Sequence, residues 1–245
     1  MTNQQAIEHA VELLKNSRHA IAITGAGVST ESGIPDFRSS SGLWTRYDPM
    51  EYGTLSAFQK DPKKVWVMLK ELISLLDKSP NKGHKAMAWL EKKGILKGVI
   101  TQNIDCLHQK AGSSNVVELH GAVDFFTCPA CSDRYSIDWV LQNDIPPCCH
   151  SCGNILKPDI IFFGEQLPEN ALNEAYEILH RADVLIVAGT SCQVMPVASF
   201  PSMVHARGGR IIEINLQPVL TGFAEISINE KFSAVMQDIQ SMMDK

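Results

Sequence analysis

The chain has 245 residues, which is enough for one large domain or two modest ones. Hydrophobic residues make up 44% and charged residues 20%, a balance that excludes a disordered chain, a collagen or a coiled coil. The 22 Lys and Arg residues against 27 Asp and Glu residues give a net charge of -5, which disfavours direct nucleic-acid binding. No apolar run approaches the roughly 18 residues of a membrane span, and the start of the chain lacks a signal-peptide core. We therefore expect a cytoplasmic protein with no membrane partner.

Short apolar strands alternate with helical patterns, which is typical of an α/β domain with a mostly parallel sheet. Strands are predicted, in chain order, at residues 19–24, 96–101, 116–119, 184–188 and 210–215. Helices are predicted at residues 4–16, 62–76, 83–93, 172–181, 196–206 and 231–243.

Two stretches, residues 39–76 and 126–157, interrupt this alternation. The first reads as a loop followed by helices, and the second is rich in cysteine. We predict that they fold together into a small lobe inserted into a Rossmann-like domain, which comprises residues 1–38, 77–125 and 158–245. A cleft between two such lobes is a common place for a ligand.

The first predicted strand runs into a Gly25-Ala26-Gly27 turn. Glycines there permit a tight turn that lets main-chain N–H groups approach a pyrophosphate. A Gly-x-Gly pair alone also fits an ordinary strand-to-helix turn, but its place after the first strand favours dinucleotide binding. Pro35 forces the chain out of helix. Residues 33–38 are therefore predicted to cover the nucleotide, which favours its cleavage over hydride transfer.

Polar side chains follow the second and third predicted strands. Gln102 and Asn103 offer amides for ribose hydroxyls, and Asp105 offers an acceptor for a carboxamide. A lone histidine such as His120 at a strand end is more often structural than catalytic. Because carboxyl ends of parallel strands meet at one edge of a sheet, the three strand ends together favour His120 as a general base.

Five of the seven cysteines lie between positions 128 and 152, and an odd total argues against a disulfide framework. Four of them form two Cys-x-x-Cys pairs with the spacing of a zinc ribbon. The predicted metal ligands are Cys128, Cys131, Cys149 and Cys152. Four thiolates close a tetrahedral coordination sphere, so we expect one structural Zn²⁺ per chain. Cys148 and His150 are less favoured as substitute ligands.

Together these motifs resemble the sirtuin family of NAD-dependent protein deacylases, in the compact prokaryotic form. The resemblance extends from residue 25 to residue 215, in the family's order. It implies an NAD-dependent protein-lysine deacetylase. Such an enzyme transfers the acetyl group of an acetylated protein or peptide to ADP-ribose, with NAD as a co-substrate, and releases nicotinamide and O-acetyl-ADP-ribose.

The resemblance also implies roles for individual residues. His120 and Asn103 would be catalytic, with His120 the general base on a ribose hydroxyl. Asp105 would hold the nicotinamide carboxamide, and Phe37 would shield the sugar after nicotinamide leaves. The residues implied to contact NAD are Gly25, Ala26, Gly27, Ser29, Thr30, Pro35, Asp36, Phe37, Arg38, Gln102, Asn103, Ile104, Asp105, His120, Gly189, Thr190, Ser191 and Asn215.

The substrate peptide is expected to add itself as a strand between residues 163–166 and 192–196. Main-chain hydrogen bonds dominate that mode of binding, so sequence preference should be loose. The residues implied to bind substrate are Ile161, Phe162, Gly164, Glu165 and Val194. The apolar run at 160–162 could line an acyl-lysine tunnel or simply belong to the core, as such runs usually do.

Two departures from the family pattern bear on chemistry. Relatives that prefer acidic acyl groups carry a Tyr and an Arg where this chain has Leu69 and Leu72. A buried succinyl carboxylate would be unpaired there, so we expect acetyl or a longer apolar acyl group. Cys106 and Cys192 are unusual neighbours of the site, and each is either an inert small hydrophobe or a redox-sensitive thiol.

Rival functions remain open on the sequence alone. The same scaffold could act as a mono-ADP-ribosyltransferase or as a longer-chain deacylase. It could also bind NAD without turnover, although such a protein would be expected to lose His120 or Asn103, and both are present.

Overall fold

A computed structural model describes residues 2–244. Within that range the strands are β1 Ala20–Thr24, β2 Leu96–Thr101, β3 Val116–Glu118, β4 Gly121–Thr127, β5 Arg134–Ser136, β6 Lys157–Ile160, β7 Val184–Ala188, β8 Arg210–Ile214 and β9 Ile226–Ile228. The α-helices are α1 Asn3–Asn16, α2 Pro49–Tyr52, α3 Leu55–Lys60, α4 Pro62–Leu75, α5 Lys82–Lys92, α6 Leu107–Lys110, α7 Ile137–Leu141, α8 Glu169–Arg181, α9 Phe200–His205 and α10 Phe232–Met243. Three 3₁₀-helices lie at Ala26–Ser32, Leu43–Thr45 and Val197–Ser199.

The larger sheet has six parallel strands in the order β3-β2-β1-β7-β8-β9. The chain runs outward from β1 to β3, then returns to β7 and runs outward in the other direction. The strand order therefore reverses between β1 and β7, and open α/β sheets bind ligands beyond the carboxyl ends of the strands at such a reversal. The predicted Rossmann-like fold class is confirmed.

Helices cover both faces of this sheet, which explains why β1 and β7 are buried along their whole length. On one face α1, α5 and α10 pack together, and the buried stripe of α1 contains Ala6, Ala10 and Leu14 at helical spacing. On the other face α8 and α9 pack against the sheet.

The smaller sheet is antiparallel, in the order β5-β4-β6, and belongs to a separate hydrophobic core. Residues of both predicted insertions share that core. Trp66 of α4 stacks on Phe126 of β4 with ring centroids 5.8 Å apart, and its indole N–H donates to the Leu156 carbonyl at 2.9 Å. We call this core and its surrounding residues 39–76 and 126–157 the small lobe. The exact lobe boundaries stay a prediction.

The predicted strands of the large sheet match the observed ones within one residue at each end, but four strands were not anticipated. Three of these, β4 to β6, form the small antiparallel sheet, and β9 is only three residues long. The helix predicted at 196–206 is divided into a 3₁₀ turn and α9 because Pro201 lies in the first turn of α9 and has no N–H to continue an earlier helix. Within residues 2–244 no helix has the length and apolar character needed to cross a membrane.

Candidate active site

The turns that follow β1 and β7 pack directly on each other. The N–H of Gly25 donates to the Ala188 carbonyl at 3.1 Å, and that of Gly27 donates to the Gly189 carbonyl at 2.9 Å. A Cβ atom on Gly27 would lie 2.8 Å from the Cα of Gly189, so a larger residue would push the turns apart. These glycines are therefore needed for the contact between turns. Their N–H groups are already bonded to main-chain carbonyls, so neither glycine has a free N–H to donate to a pyrophosphate.

The 3₁₀-helix Ala26–Ser32 follows this turn and ends at Gly33, whose φ of 88° is left-handed. Thr30 is exposed there, and its hydroxyl donates to the Gly27 carbonyl at 2.9 Å. Ala26 is half-buried at the start of this helix. The N-terminus of this helix thus lies at the strand-order reversal.

Three polar side chains gather in a buried group beneath this turn. The Ser29 hydroxyl donates to the Asp105 carboxylate at 2.6 Å, and the Asn103 amide lies 3.1 Å from the same hydroxyl oxygen. All three residues are nearly inaccessible to solvent. The other Asp105 oxygen accepts the N–H of Leu107 at 2.9 Å, which fixes the carboxylate at the end of β2.

Two histidines with unsatisfied nitrogens lie behind this group. His84 and His108 are fully buried with ring centroids 4.9 Å apart, and both ring nitrogens of His84 have no hydrogen-bond partner among the described residues. Burial lowers the pKa of His108 to about 3 and also lowers the pKa of His84, so both rings are neutral. Buried polar atoms are normally bonded, so the unpaired nitrogens of His84 are unusual in the protein interior.

His120 lies at the same edge of the sheet, two residues after the end of β3. Its Nδ1 is 3.0 Å from the Gln102 carbonyl oxygen. A carbonyl only accepts, so Nδ1 carries the proton and Nε2 keeps a free lone pair. Burial and, to a smaller extent, the Arg38 charge lower the pKa of His120. The imidazole is therefore a neutral base at physiological pH.

The next residue, Gly121, lets β6 approach this histidine. Its φ is 69°, and a Cβ atom there would lie 2.1 Å from the Asp159 carbonyl oxygen. The N–H of Ile161 donates to the His120 carbonyl at 2.9 Å. The strand end that carries His120 and the predicted substrate segment are thus joined by main-chain contacts.

The predicted covering loop contains Pro35, Asp36 and Phe37, which are half-buried, and Arg38, which is exposed. Asp36 accepts the Arg38 N–H at 3.1 Å, which turns the loop back. The guanidinium of Arg38 then reaches the Ser191 hydroxyl at 3.3 Å, so the loop after β1 contacts the segment after β7.

Phe37 of this loop belongs to an aromatic row that the sequence analysis did not anticipate. Its ring lies 5.2 Å from that of Trp44, which lies 6.2 Å from that of Phe163. Ile104, which follows Asn103, is half-buried and packs against the small-lobe core. The row therefore connects the covering loop with the predicted peptide segment. The Gly-Leu-Trp sequence at 42–44 carried no recognisable signal.

The remaining predicted NAD residues form the edge of the site along β7 and β8. The Gln102 side-chain amide donates to the Thr190 hydroxyl at 2.8 Å. The N–H of Thr190 donates to the Asn215 side-chain oxygen at 3.1 Å. Gly189 and Ser191 flank Thr190, so every predicted NAD residue lies on one edge of the sheet or on the loop over it.

The predicted substrate residues do not all share one environment. Phe162 is buried in the small-lobe core, with its ring stacked 5.6 Å from that of Phe58, whereas Ile161 is half-buried and Gly164 is exposed. Val194 is half-buried on the opposite segment, between β7 and α9. The side chain of Phe162 therefore supports the core, and Ile161 is the more accessible of the two.

A lysine that the sequence analysis did not select holds the peptide segment. The Lys157 ammonium lies 3.1 Å from the Glu165 carboxylate, donates to the Ile160 carbonyl at 2.8 Å and lies 4.9 Å from the centre of the Phe162 ring. Glu165 also accepts the N–H of Phe162 at 3.0 Å. The Glu165 carboxylate is thus engaged in forming the turn. A lysine directly before a proline and an apolar run gave no sequence signal for this role.

The four predicted metal ligands converge in the small lobe, with their sulfur atoms within 4.8 Å of one another. The Cys128–Cys152, Cys131–Cys149 and Cys131–Cys152 sulfur distances are 3.4, 3.5 and 3.6 Å. A tetrahedral zinc ion with bonds of about 2.3 Å would separate its sulfur ligands by about 3.8 Å, so the four thiols fit zinc. Cys148 and His150 lie outside this group, which is the one cluster suited to a metal ion within residues 2–244.

The two cysteine turns have the same backbone geometry. The N–H of Cys128 donates to the Asp133 carbonyl, and the N–H of Cys149 donates to the Asn154 carbonyl, each at 2.8 Å. In each turn the fourth residue after the first cysteine has a positive φ, at Ser132 and Gly153. Matched turns of this kind present both sulfur atoms on one side, which is the arrangement of a four-cysteine zinc site.

The two unusual cysteines near the site are poor nucleophiles. Burial, with the nearby Glu118 and Asp124 charges, raises the pKa of Cys106. Burial raises the pKa of Cys192 to about 11. The thiolate is the reactive form of cysteine, so both side chains are largely unreactive at neutral pH.

Comparison with known proteins agrees with this geometry. The model of the Sir2 family matches residues 25–196. An NAD-dependent protein deacylase of Thermococcus kodakarensis is 45% identical over 240 residues, which cover 94% of this chain and 93% of the relative.

Solved structures are equally close. A crystal structure of a Sir2 homologue in complex with NAD is 44% identical, with a TM-score of 0.88 over 97% of this chain and 93% of that chain. A Sir2 variant solved with a deacetylated p53 peptide and 3′-O-acetyl-ADP-ribose is 36% identical, with a TM-score of 0.92 over 96% of this chain and 98% of that chain. The chain therefore belongs to the Sir2 family, as its sequence motifs indicated.

Proposed function

We propose that this protein is an NAD-dependent protein-lysine deacetylase, which moves the acetyl group of an acetyl-lysine to ADP-ribose. The observation that carries the proposal is the position of His120. Its Nδ1 is committed to the Gln102 carbonyl, its Nε2 is free, and it joins Asn103 and Asp105 at the strand-order reversal. A relative named an NAD-dependent protein deacylase and a Sir2 structure that contains NAD support it.

NAD supplies an electrophilic ribose carbon with nicotinamide as its leaving group. The buried Ser29, Asn103 and Asp105 group fits the polar nicotinamide end. We assign to Asp105 the binding of the carboxamide, and to Phe37 the exclusion of water from the reacting face. Ser191 and Arg38 close the site from the opposite side.

His120 then removes a proton from a ribose hydroxyl. The hydrogen bond to the Gln102 carbonyl orients the ring and stabilises the imidazolium that forms, because the carbonyl accepts from Nδ1 in both states. The lowered pKa of His120 keeps Nε2 unprotonated before the reaction. The residue is thus matched to its role as a base near neutral pH.

Acetyl-lysine proteins or peptides are the proposed partners. The segment that follows β6 is bonded to His120 through the N–H of Ile161, and Phe163 and Gly164 beyond it are exposed, so a peptide could dock beside them. Leu69 and Leu72 are buried among apolar residues of the small lobe, so no cation is available there for an acidic acyl group. We also propose a cytoplasmic location, because zinc-binding thiols persist in a reducing compartment.

Mass spectrometry of an acetyl-lysine peptide incubated with the protein, with and without NAD, tests the function. We expect loss of the acetyl group only with NAD, together with equal amounts of O-acetyl-ADP-ribose and nicotinamide. A matched His120→Ala reaction controls for a contaminating enzyme.

Parallel reactions separate the rival activities. A peptide that gains the mass of ADP-ribose would instead identify a mono-ADP-ribosyltransferase. Faster turnover of a long-chain acyl-lysine than of acetyl-lysine would identify a longer-chain deacylase. We expect a succinyl-lysine peptide to react more slowly than either.

A further inference from the structure

One buried carboxylate next to the predicted NAD site has no role in the account above. Glu213 is on β8, where it is 1% exposed, and its neighbours Ile212 and Ile214 on that strand are apolar and buried. The register places Val187 of β7 and Ser227 of β9 beside it. An ionised carboxylate inside a sheet is costly unless donors surround it, so its local partners indicate what it does.

Donors from three directions converge on the Glu213 carboxylate. One oxygen accepts from the Asn215 side-chain amide at 3.0 Å and from the Val219 N–H at 2.6 Å. The other oxygen accepts from the Ser227 hydroxyl at 2.8 Å. A carboxylate accepts from all three donors, whereas the amide of a glutamine would keep the two on one oxygen and would require the Ser227 hydroxyl to turn and accept instead.

The bond to Asn215 determines which way that amide faces. The amide nitrogen of Asn215 points to Glu213 and also lies 3.3 Å from the Thr190 carbonyl. Its oxygen therefore faces the N–H of Thr190, from which it accepts at 3.1 Å. Were the amide reversed, its oxygen would face the carboxylate and its nitrogen the N–H of Thr190, and both contacts would be repulsive.

Thr190 connects Asn215 to Gln102, the next residue along the edge of the sheet. Its hydroxyl accepts from the Gln102 amide, and the Gln102 carbonyl accepts from His120. Glu213, Asn215, Thr190, Gln102 and His120 are thus hydrogen-bonded in succession. At Gln102 the connection passes from the side-chain amide to the main-chain carbonyl.

We propose that Glu213 is a positioning residue for the NAD site. Its carboxylate sets the orientation of Asn215 and holds the chain at 216–219, so the edge formed by Thr190 and Asn215 is in place before NAD binds. The inference rests on the proposed function for the identity of the ligand. All partners of Glu213 lie between the end of β8 and β9, so it should not influence peptide binding.

Steady-state kinetics of Glu213→Gln, with NAD and an acetyl-lysine peptide varied in turn, tests the proposal. We expect the KM for NAD to rise roughly tenfold, which corresponds to one lost charge-assisted contact. The KM for the peptide and the kcat should change by less than about twofold, because ground-state binding of one substrate is what is lost.

Two further variants separate positioning from general stability. Ile212→Ala truncates the neighbouring side chain on the opposite face of β8, so it should lower the Tm without changing the KM for NAD. Ser227→Ala removes one donor and keeps the carboxylate, so it should raise the KM for NAD by about two- to threefold. Should Glu213→Gln not fold, Ser227→Ala decides the question.

A double-mutant cycle with Asn215→Ala tests whether Glu213 acts on NAD binding through Asn215. We expect Glu213→Gln to add nothing to the KM for NAD once Asn215 is alanine. Additive effects, equal changes in both KM values, or an unchanged KM for NAD in folded Glu213→Gln and Ser227→Ala proteins would overturn the inference while leaving the function intact. A folded wild-type protein without NAD-dependent turnover would overturn both.

Discussion

The carboxyl edge of the six-stranded sheet and the small lobe are built in different ways. At the sheet edge, main-chain pairing continues one residue beyond several strands: the N–H of Gln102 bonds to the Thr24 carbonyl, and that of Gly189 bonds to the Ile214 carbonyl. The small lobe instead combines the 14-residue α4 with helices of four to six residues, such as α2 and α3, and with three antiparallel strands, of which β4 is the longest at seven residues. Helices this short are not stable by themselves.

This difference separates two requirements of the proposed reaction. Chemistry on NAD needs groups placed within fractions of an ångström, and residues at the ends of buried parallel strands have that precision. Capture of varied peptides needs exposed backbone, which loops held by a zinc site and side chains such as Lys157 can provide. Substitutions at the sheet edge and in the small lobe should therefore have separable effects.

Replacement of the base at the sheet edge should have the largest effect. We expect His120→Ala to reduce the kcat for deacetylation by about 10²–10⁴-fold, because no other group replaces Nε2 as proton acceptor. The Tm should change little, since the lost side chain makes one hydrogen bond, to a main-chain carbonyl. His180→Ala, at an exposed position on α8, is the matched control. Near-normal turnover by His120→Ala would contradict the assignment of His120 as the general base.

Loss of zinc should damage the small lobe selectively. Cys131→Ser removes one of four ligands, and we expect zinc content by atomic absorption to fall from one per chain towards zero. Structural zinc contributes on the order of 10 kcal/mol to folding, so the small lobe should unfold at a lower temperature than the sheet. Cys148→Ser should keep its zinc, because that thiol lies outside the cluster. Equal zinc content in the two variants would contradict the assignment.

A smaller and more specific effect is expected at Lys157. Lys157→Met removes the cation that joins the end of β6 to the turn at Glu165, and we expect the KM for the peptide to rise by roughly fivefold to tenfold. The KM for NAD should stay constant, which is the reverse of the result expected at Glu213. Lys157→Arg keeps the charge and should restore most of the affinity. A rise in both KM values would argue against the separation of the two regions.

The smallest effect concerns pH. A folded-state pKa of His120 below its ordinary value keeps the base neutral at pH 7, so kcat/KM should fall only as the pH drops below about 6.5. Arg38→Gln removes a positive charge that contributes to the lowered pKa of His120, so the acid limb should move to higher pH. A limb that moves to lower pH would contradict this assignment.

The sequence predicts the sheet better than the small lobe, for a physical reason. Buried parallel strands such as β1 and β7 consist almost entirely of apolar residues, and their polar ends mark the crevice. Cysteine spacing likewise reveals the metal ligands, because two tight turns require it. The strands β5 and β6 are only three and four residues long, and β4 does not alternate regularly between buried and exposed residues, so tertiary contacts define all three.

Part of the site could not be predicted because it depends on residues far apart in the chain. The contact of Lys157 with Glu165 and the aromatic row at Trp44 arise only from folding. Glu213 is different, since a charge between isoleucines in a predicted strand was a visible irregularity. Sequence patterns could have shown that it was unusual, but its partners at Asn215 and Ser227 come from the sheet register.

Exchange of labelled nicotinamide into NAD, measured beside O-acetyl-ADP-ribose formation in wild-type and His120→Ala protein with an acetyl-lysine peptide, tests the central claim most directly. His120 is proposed to act in the step after nicotinamide leaves. The variant should therefore still incorporate label into NAD while forming almost no O-acetyl-ADP-ribose. Formation of O-acetyl-ADP-ribose by the variant at the wild-type rate would contradict the account.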